Sequence, residues 1–236
     1  DSINNFFIEG NNAKYIEDEK KMIFDKSPLL NLVSKEDTLF IKANEFHNQE
    51  ILNKETLYAF NNVEILNNEI KGKCDSLTFS ISDSLINMYE KPLLWIDEYQ
   101  ISADSMSINY YDKTIKKLFL ISNPIIISEQ DSSLYNQIKG KYMEGDFIEN
   151  KLKNIDVLGN GQSIYFIKEN NEIIGMNYIE SSNIYLSFKK NRIDNINYKK
   201  SPYSITTPLE DIIDEKKYLK GFNWKIKEKP ERNGIF

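Results

Sequence analysis

The sequence predicts an all-β fold, an elongated antiparallel β-jelly-roll or β-taco built from stacked hairpin repeats. Three observations carry that prediction. Short runs alternate apolar with small polar residues, Asn-, Asp- and Lys-rich breaks separate the runs, and one motif recurs along the chain.

The alternation is clearest in Leu77-Thr78-Phe79-Ser80-Ile81-Ser82, Met106-Ser107-Ile108-Asn109-Tyr110 and Asn183-Ile184-Tyr185-Leu186-Ser187-Phe188. A period of two puts one set of side chains on one face of a strand. The runs are rich in Ile, Phe, Tyr and Leu, which suit a pleated, half-buried surface. Ile148-Glu149-Asn150-Lys151 and Lys168-Glu169-Asn170-Asn171 are read as turns, with Asn and Asp in the role usually given to Gly. Gly159-Asn160-Gly161-Gln162 is read as a tight turn, since it lacks a P-loop lysine and no helix pattern follows it.

Asn68-Glu69-Ile70-Lys71-Gly72-Lys73 recurs as Asn136-Gln137-Ile138-Lys139-Gly140-Lys141, and Gln100-Ile101-Ser102-Ala103-Asp104-Ser105 has the shape of Lys71-Gly72-Lys73-Cys74-Asp75-Ser76. Aligning Ala43, Cys74, Ala103, Tyr142 and Ile179 gives unequal steps of between 29 and 39 residues. Periods of this size point to stacked units that bury their apolar faces against one another. Unequal steps favour antiparallel hairpins with turns of varying length over a tightly wound β-helix.

One segment departs from the β pattern. Thr207 is placed to cap, and Pro208 to start, a short helix over Pro208–Glu215. The chain is therefore divided into a repeat domain over residues 1–203 and a C-terminal extension with the short helix over 204–236. The opening Asp1-Ser2-Ile3-Asn4 reads like the inside of a longer protein.

Composition narrows the function classes. With 236 residues, 40% of them hydrophobic, the chain is long enough to bury a core without metals or disulfides. A net charge of −6 argues against nucleic acid as a partner. Cys74 is the single cysteine, so no intrachain disulfide and no paired-cysteine metal site can form. No apolar run is long enough for a membrane-spanning helix.

Catalytic sets are absent from the pattern, and the chain is read as a non-enzyme without a cofactor or metal. His47 is the one histidine and sits in the polar stretch Asn44–Gln49, read as loop and surface. Asp75, Asp104 and Glu180 recur at matching repeat positions, where carboxylates hydrogen-bond backbone at strand corners; an ion ladder is the alternative.

The apolar stripes are the candidate functional feature. They are Leu77, Phe79 and Ile81; Met106, Ile108 and Tyr110; Leu118 and Leu120; Ile125 and Ile127; Ile164 and Phe166; and Ile184, Leu186 and Phe188. Both a closed sandwich core and a groove open to acyl chains need such inward stripes, and alternation alone fits either.

Several stretches resemble a known family. Tyr89–Ser105 is similar to the segment of OstA-like proteins in which a Pro-containing turn leads to an aromatic strand and then to a Gln-Ile-x-Ala-Asp corner. Asp37–Ala43, Gly140–Met143, Asn154–Gly161 and Leu219–Trp224 resemble other parts of the same pattern, in the same order. The chain is thus similar to the OstA-like/LptA family, and to its longer OstA-like branch in particular. The resemblance implies a folded β-sheet with a hydrophobic groove, a periplasmic location, and lipopolysaccharide or a related glycolipid as the partner carried towards the outer membrane. It also implies end-to-end strand pairing with like domains, including copies of this chain, and no enzymatic activity. A structural or adhesive β-solenoid without lipid is the alternative.

Overall fold

The computed structural model describes residues 6–34, 37–51, 54–111, 114–190 and 192–231. The opening Asp1-Ser2-Ile3-Asn4 lies outside the described residues. In chain order the strands are β1 (Phe6–Glu9), β2 (Asn12–Ile16), β3 (Lys21–Asp25), β4 (Leu29–Val33), β5 (Thr38–Lys42), β6 (Glu45–Ile51) and β7 (Lys54–Leu66). There follow β8 (Ile70–Ser80), β9 (Leu85–Tyr89), β10 (Leu93–Ile96), β11 (Tyr99–Ser102), β12 (Ser105–Tyr111), β13 (Thr114–Ile121) and β14 (Ile125–Asp131). The last are β15 (Leu134–Lys139), β16 (Tyr142–Ile148), β17 (Lys151–Glu169), β18 (Glu172–Lys189), β19 (Arg192–Lys199) and β20 (Tyr203–Pro208). They form one antiparallel sheet of 20 strands.

The sheet is folded into two walls. The first runs β2, β3, β6, the start of β7, the end of β8, β9, β12, β13, β16, the start of β17, the end of β18 and β19. The second runs β1, β4, β5, the end of β7, the start of β8, β10, β11, β14, β15, the end of β17, the start of β18 and β20. Each pass of the chain crosses from one wall to the other through a corner. β7, β8, β17 and β18 remain strands through their corners, and the register shifts there in the pairs β7–β8 and β17–β18.

Two kinds of corner alternate. Passing from the first wall to the second, the chain uses two consecutive left-handed residues: Lys26-Ser27, Asn61-Asn62, Glu90-Lys91, Ser122-Asn123, Gly159-Asn160 and Lys200-Ser201, with φ between 51° and 74°. Passing back from β5 onward, it uses a small buried residue and then an exposed polar one: Ala43-Asn44, Cys74-Asp75, Ala103-Asp104, Gly140-Lys141 and Ser181-Ser182. The small residue sits where the walls converge. At Gly140 a Cβ would lie 2.5 Å from Val157 Cγ1.

The corners are bonded to one another. The backbone N–H of Asn44 donates to Asn61 O (3.0 Å), Asp104 to Ser122 O (2.9 Å), Lys141 to Gly159 O (3.0 Å) and Ser182 to Lys200 O (3.4 Å). On the other side, Ala43 N–H reaches Pro28 O and Gly140 N–H reaches Pro124 O.

These corners adjust three expectations. The repeat equivalents of Cys74 are Gly140 and Ser181, two residues from Tyr142 and Ile179, because the corner needs a small side chain and strand lengths vary. Gly159-Asn160 bends β17 without reversing it, so it is a corner and not a hairpin turn. Glu149-Asn150 and Asn170-Asn171 are hairpin turns with φ positive at both residues, as the reading of turns required. His47 stands on β6, not in a loop.

Between the walls lies one apolar cluster with residues 0–8% exposed. Leu57, Leu77, Met88, Leu118 and Leu186 of the first wall meet Leu30, Ile41, Ile65, Leu94 and Ile101 of the second. Each fully buried side chain contributes about 1.5–3 kcal/mol. The outer face of the first wall is polar; there Lys117 lies 3.1 Å from Asp146, and Asn154 donates to Asp146 at 2.8 Å.

After Pro208 the chain leaves the sheet and crosses the outer face of the second wall as a strap. Its helical content is three 3₁₀ turns, Leu209–Asp211, Asp214–Lys217 and Ile226–Glu228, and Thr207 belongs to β20 instead of capping a helix. A two-turn helix would lift Ile212 and Leu219 off the strands they pack against. Two buried glutamines hold the strap. Gln137 donates Nε2–H to Lys217 O and accepts from Leu219 N–H, both at 2.7 Å. Gln100 donates to Asn223 O at 2.7 Å and accepts from Lys225 N–H at 2.6 Å. Each amide pairs with the strap as a neighbouring peptide unit would. Replacing Gln137 by Leu leaves both strap groups without their partner and should destabilise the fold by about 2–4 kcal/mol. Hydrogen exchange is expected to accelerate at the strap amides from Lys217 onward while the β12–β13 amides keep their protection.

Candidate functional site

The interior between the walls is the candidate site. Of the stripe residues, Leu77, Phe79, Met106, Ile108, Leu118, Leu120, Ile184, Leu186 and Phe188 lie in the cluster between the walls, with Ile81 and Tyr110 partly buried against it. All of these are first-wall residues. Ile125, Ile127, Ile164 and Phe166 do not join them. They form a second cluster with Met176 and Leu219 on the outer face of the second wall, under the strap. The reason is strand parity: Ile126 points between the walls, so Ile125 and Ile127 point away from them.

The second wall's inward lining alternates as plainly as the first wall's stripes. Leu39-Phe40-Ile41 and Val63-Glu64-Ile65 both carry buried residues at alternate positions. The first-wall strand β6 buries Phe46, within the stretch the sequence reading places in a loop.

The walls meet at lips on the side opposite the corners. Near β19 the lips carry polar contacts. Tyr99 of the second wall accepts a hydrogen bond from Ile193 N–H at 3.0 Å and packs edge-on against Phe188, centroids 5.8 Å apart. There Arg192 Nε is 4.0 Å from Glu98 Oε2; nearer the corner edge, Ser163 lies 2.8 Å from the Tyr198 hydroxyl. Burial pushes the Tyr99 phenol up to about 12 and raises that of Tyr198, so both stay protonated at neutral pH. Tyr99, Ser163, Arg192, Ile193 and Tyr198 line a half-open cleft of about 520 Å³ between the two walls at the β19 end.

The other singled-out residues are structural. His47 Nε2 contacts Glu45 Oε1, and its ring packs edge-on against Phe60 at 4.9 Å. Asp104 sits at a corner and accepts from Asn123 Nδ2 at 2.8 Å, a side chain and not the backbone. Glu180 precedes its corner and takes bonds from Tyr178 and Gln162, which hold its carboxyl below the usual range. Among the described residues no group of three or more His, Cys, Asp or Glu side chains is placed to hold a metal ion. Among the described residues no helix is long and apolar enough to cross a membrane, which leaves β-barrels unaddressed.

Among solved structures the chain is similar to that of LptH. LptH is described as the LptA-homologous periplasmic component of the conserved lipopolysaccharide transport device from Pseudomonas aeruginosa. Identity is 9% and the TM-score 0.43, over 58% of this chain and 93% of that one. No family model matches the chain, and no curated relative matches it.

Cys74 belongs to the corners, not to a reactive site. Burial is the main cause that pushes its thiol from 9.0 up to about 12, with Asp75 adding to the rise. At pH 8 the native thiol should react with an aromatic disulfide reagent at least about a thousand-fold more slowly than the urea-unfolded chain. Equal rates in the two states would mean that the corner opens freely.

Proposed function

We propose that this chain is a non-enzymatic periplasmic module that shields the acyl chains of lipopolysaccharide, or of a related glycolipid, between its two walls on the way to the outer membrane. The observation that carries this reading is the apolar cluster. It runs without interruption from Leu30 near one end to Phe188 near the other, between walls joined along the corner edge. The resemblance of Tyr89–Ser105 and the later segments to OstA-like proteins supports the same reading.

The energetics suit the role. An acyl chain gains up to about 0.8 kcal/mol per buried CH₂. Without lipid the cluster is filled by the protein's own side chains. An entering chain therefore exchanges side-chain contacts for lipid contacts, and its burial stays nearly constant as it slides. Among the described residues β1, β2, β19 and β20 each pair on one side only. Such edges can accept a strand of a like domain or of a second copy, extending the interior end to end.

The tight burial of the cluster also favours a second reading, a closed structural or adhesive sandwich without lipid. A photo-crosslinking amino acid separates the two. Placed at Ile81 or Tyr110, where the interior reaches the lips, it should capture lipopolysaccharide; placed at Ile127 or Phe166, under the strap, it should not. A folded protein that yields no adduct at Ile81 or Tyr110 would be the closed sandwich.

A further inference from the structure

The cleft at the β19 end differs in chemistry from the rest of the interior. Its floor is apolar, formed by Ile126, Ile138, Ile193 and Ile196. Its sides carry Ser163, Asn136, Asn177 and the rings of Tyr165 and Tyr198. Tyr165 is 46% exposed although it lies on the inward side of its strand, opposite Asn177. Along the middle of the walls the inward positions are mostly buried and apolar.

The polar groups are held in place and partly unspent. Asn136 Oδ1 accepts the Phe166 N–H at 2.9 Å, and Asn177 Oδ1 accepts Ser204 Oγ–H at 2.8 Å. Each amide is thereby oriented, and its NH₂ group has no hydrogen-bond partner among the described residues. Ser, Asn and protonated Tyr offer donors and acceptors together, as a hydroxyl-rich ligand needs, while aromatic faces pack against apolar C–H surfaces. The rim decides the charge of the occupant. Arg192 is matched by Glu98, and Asp194 adds a further negative charge, so the cleft offers no surplus cation to a phosphate or carboxylate. The volume of about 520 Å³ falls within the range of small-molecule sites, about 300–1,000 Å³.

We propose that this cleft binds an uncharged, hydroxylated ring, the sugar portion of a glycolipid or a free glycan, with Tyr165 stacked on the ring and Asn136 and Asn177 donating to its hydroxyls. The proposal goes beyond acyl shielding, since a sugar site stands or falls without the interior.

Calorimetric titration of the full chain tests it, with maltose and N,N′-diacetylchitobiose as uncharged glycans, dodecyl maltoside below its micelle concentration as a glycolipid, and maltose 1-phosphate as the anionic comparison. At least one uncharged glycan should bind, and Tyr165→Ala and Asn177→Ala should each weaken it about ten-fold while the circular dichroism stays native. Dodecyl maltoside binding more tightly than maltose would identify a glycolipid as the source, and equal affinities a free glycan. The proposal is overturned if neither uncharged glycan binds, if both variants bind as the native chain does, or if maltose 1-phosphate binds more tightly than maltose. Lipopolysaccharide capture at Ile81 or Tyr110 alongside any of those three results would leave acyl shielding standing and remove the sugar site alone.

Discussion

The backbone ladder along the corner edge is the constraint on which the rest of the fold depends. An antiparallel sheet of this length would leave one face wet or twist apart. Here each pass of the chain is bent at the same height, and the N–H groups of Asn44, Asp104, Lys141 and Ser182 tie four pairs of neighbouring corners together. Once the corners are aligned, strand parity does the remainder. Every second residue on either side of a corner points into the shared space, and the apolar cluster follows. The asymmetry between the corners follows as well. The left-handed pairs turn on the outside of the bend, where Asn, Ser, Lys and Glu fit; the tight side takes only Ala, Cys, Gly or Ser.

Beneath the strap the second wall is buried on both faces; the first is buried on one. That difference explains Ile125-Ile126-Ile127, whose central residue faces the interior while its neighbours face the strap. It also explains two glutamines that are fully buried in an otherwise apolar setting. A buried amide is costly unless its donor and acceptor are both satisfied. Gln100 and Gln137 meet that condition with backbone groups of the strap.

Much of this architecture was legible in the sequence, and the misreadings have physical causes. The alternation in β8, β12 and β18 marked strands and their inward faces correctly, because each of those segments has one wet face. β14 hid its parity because both faces are dry. Gly159-Asn160 carried the same local signal as a hairpin turn; whether such a pair bends or reverses the chain is decided by which strand lies alongside, a tertiary fact. The likeness of Asn136–Lys141 to Asn68–Lys73 pulled the repeat out of step, whereas the small residues Gly140 and Ser181 would have restored it. The strap's turns were read as a helix because capping signals are local, while the demand that Ile212 and Leu219 reach the sheet is not.

The strap gives the two walls different mechanical characters. It runs across the strands, from β18 past β15 to β11 and β8, where Glu228 meets Lys73 and Lys229 bonds to Asp97 O. Hydrogen bonds between strands resist their separation, but they allow a sheet to coil. A crosspiece fastened at Gln137 and Gln100 suppresses that coiling in the second wall, as a batten stiffens planking. The first wall has no crosspiece among the described residues. Any load that parts the lips is therefore taken up by flexing of the first wall against a stiff second one.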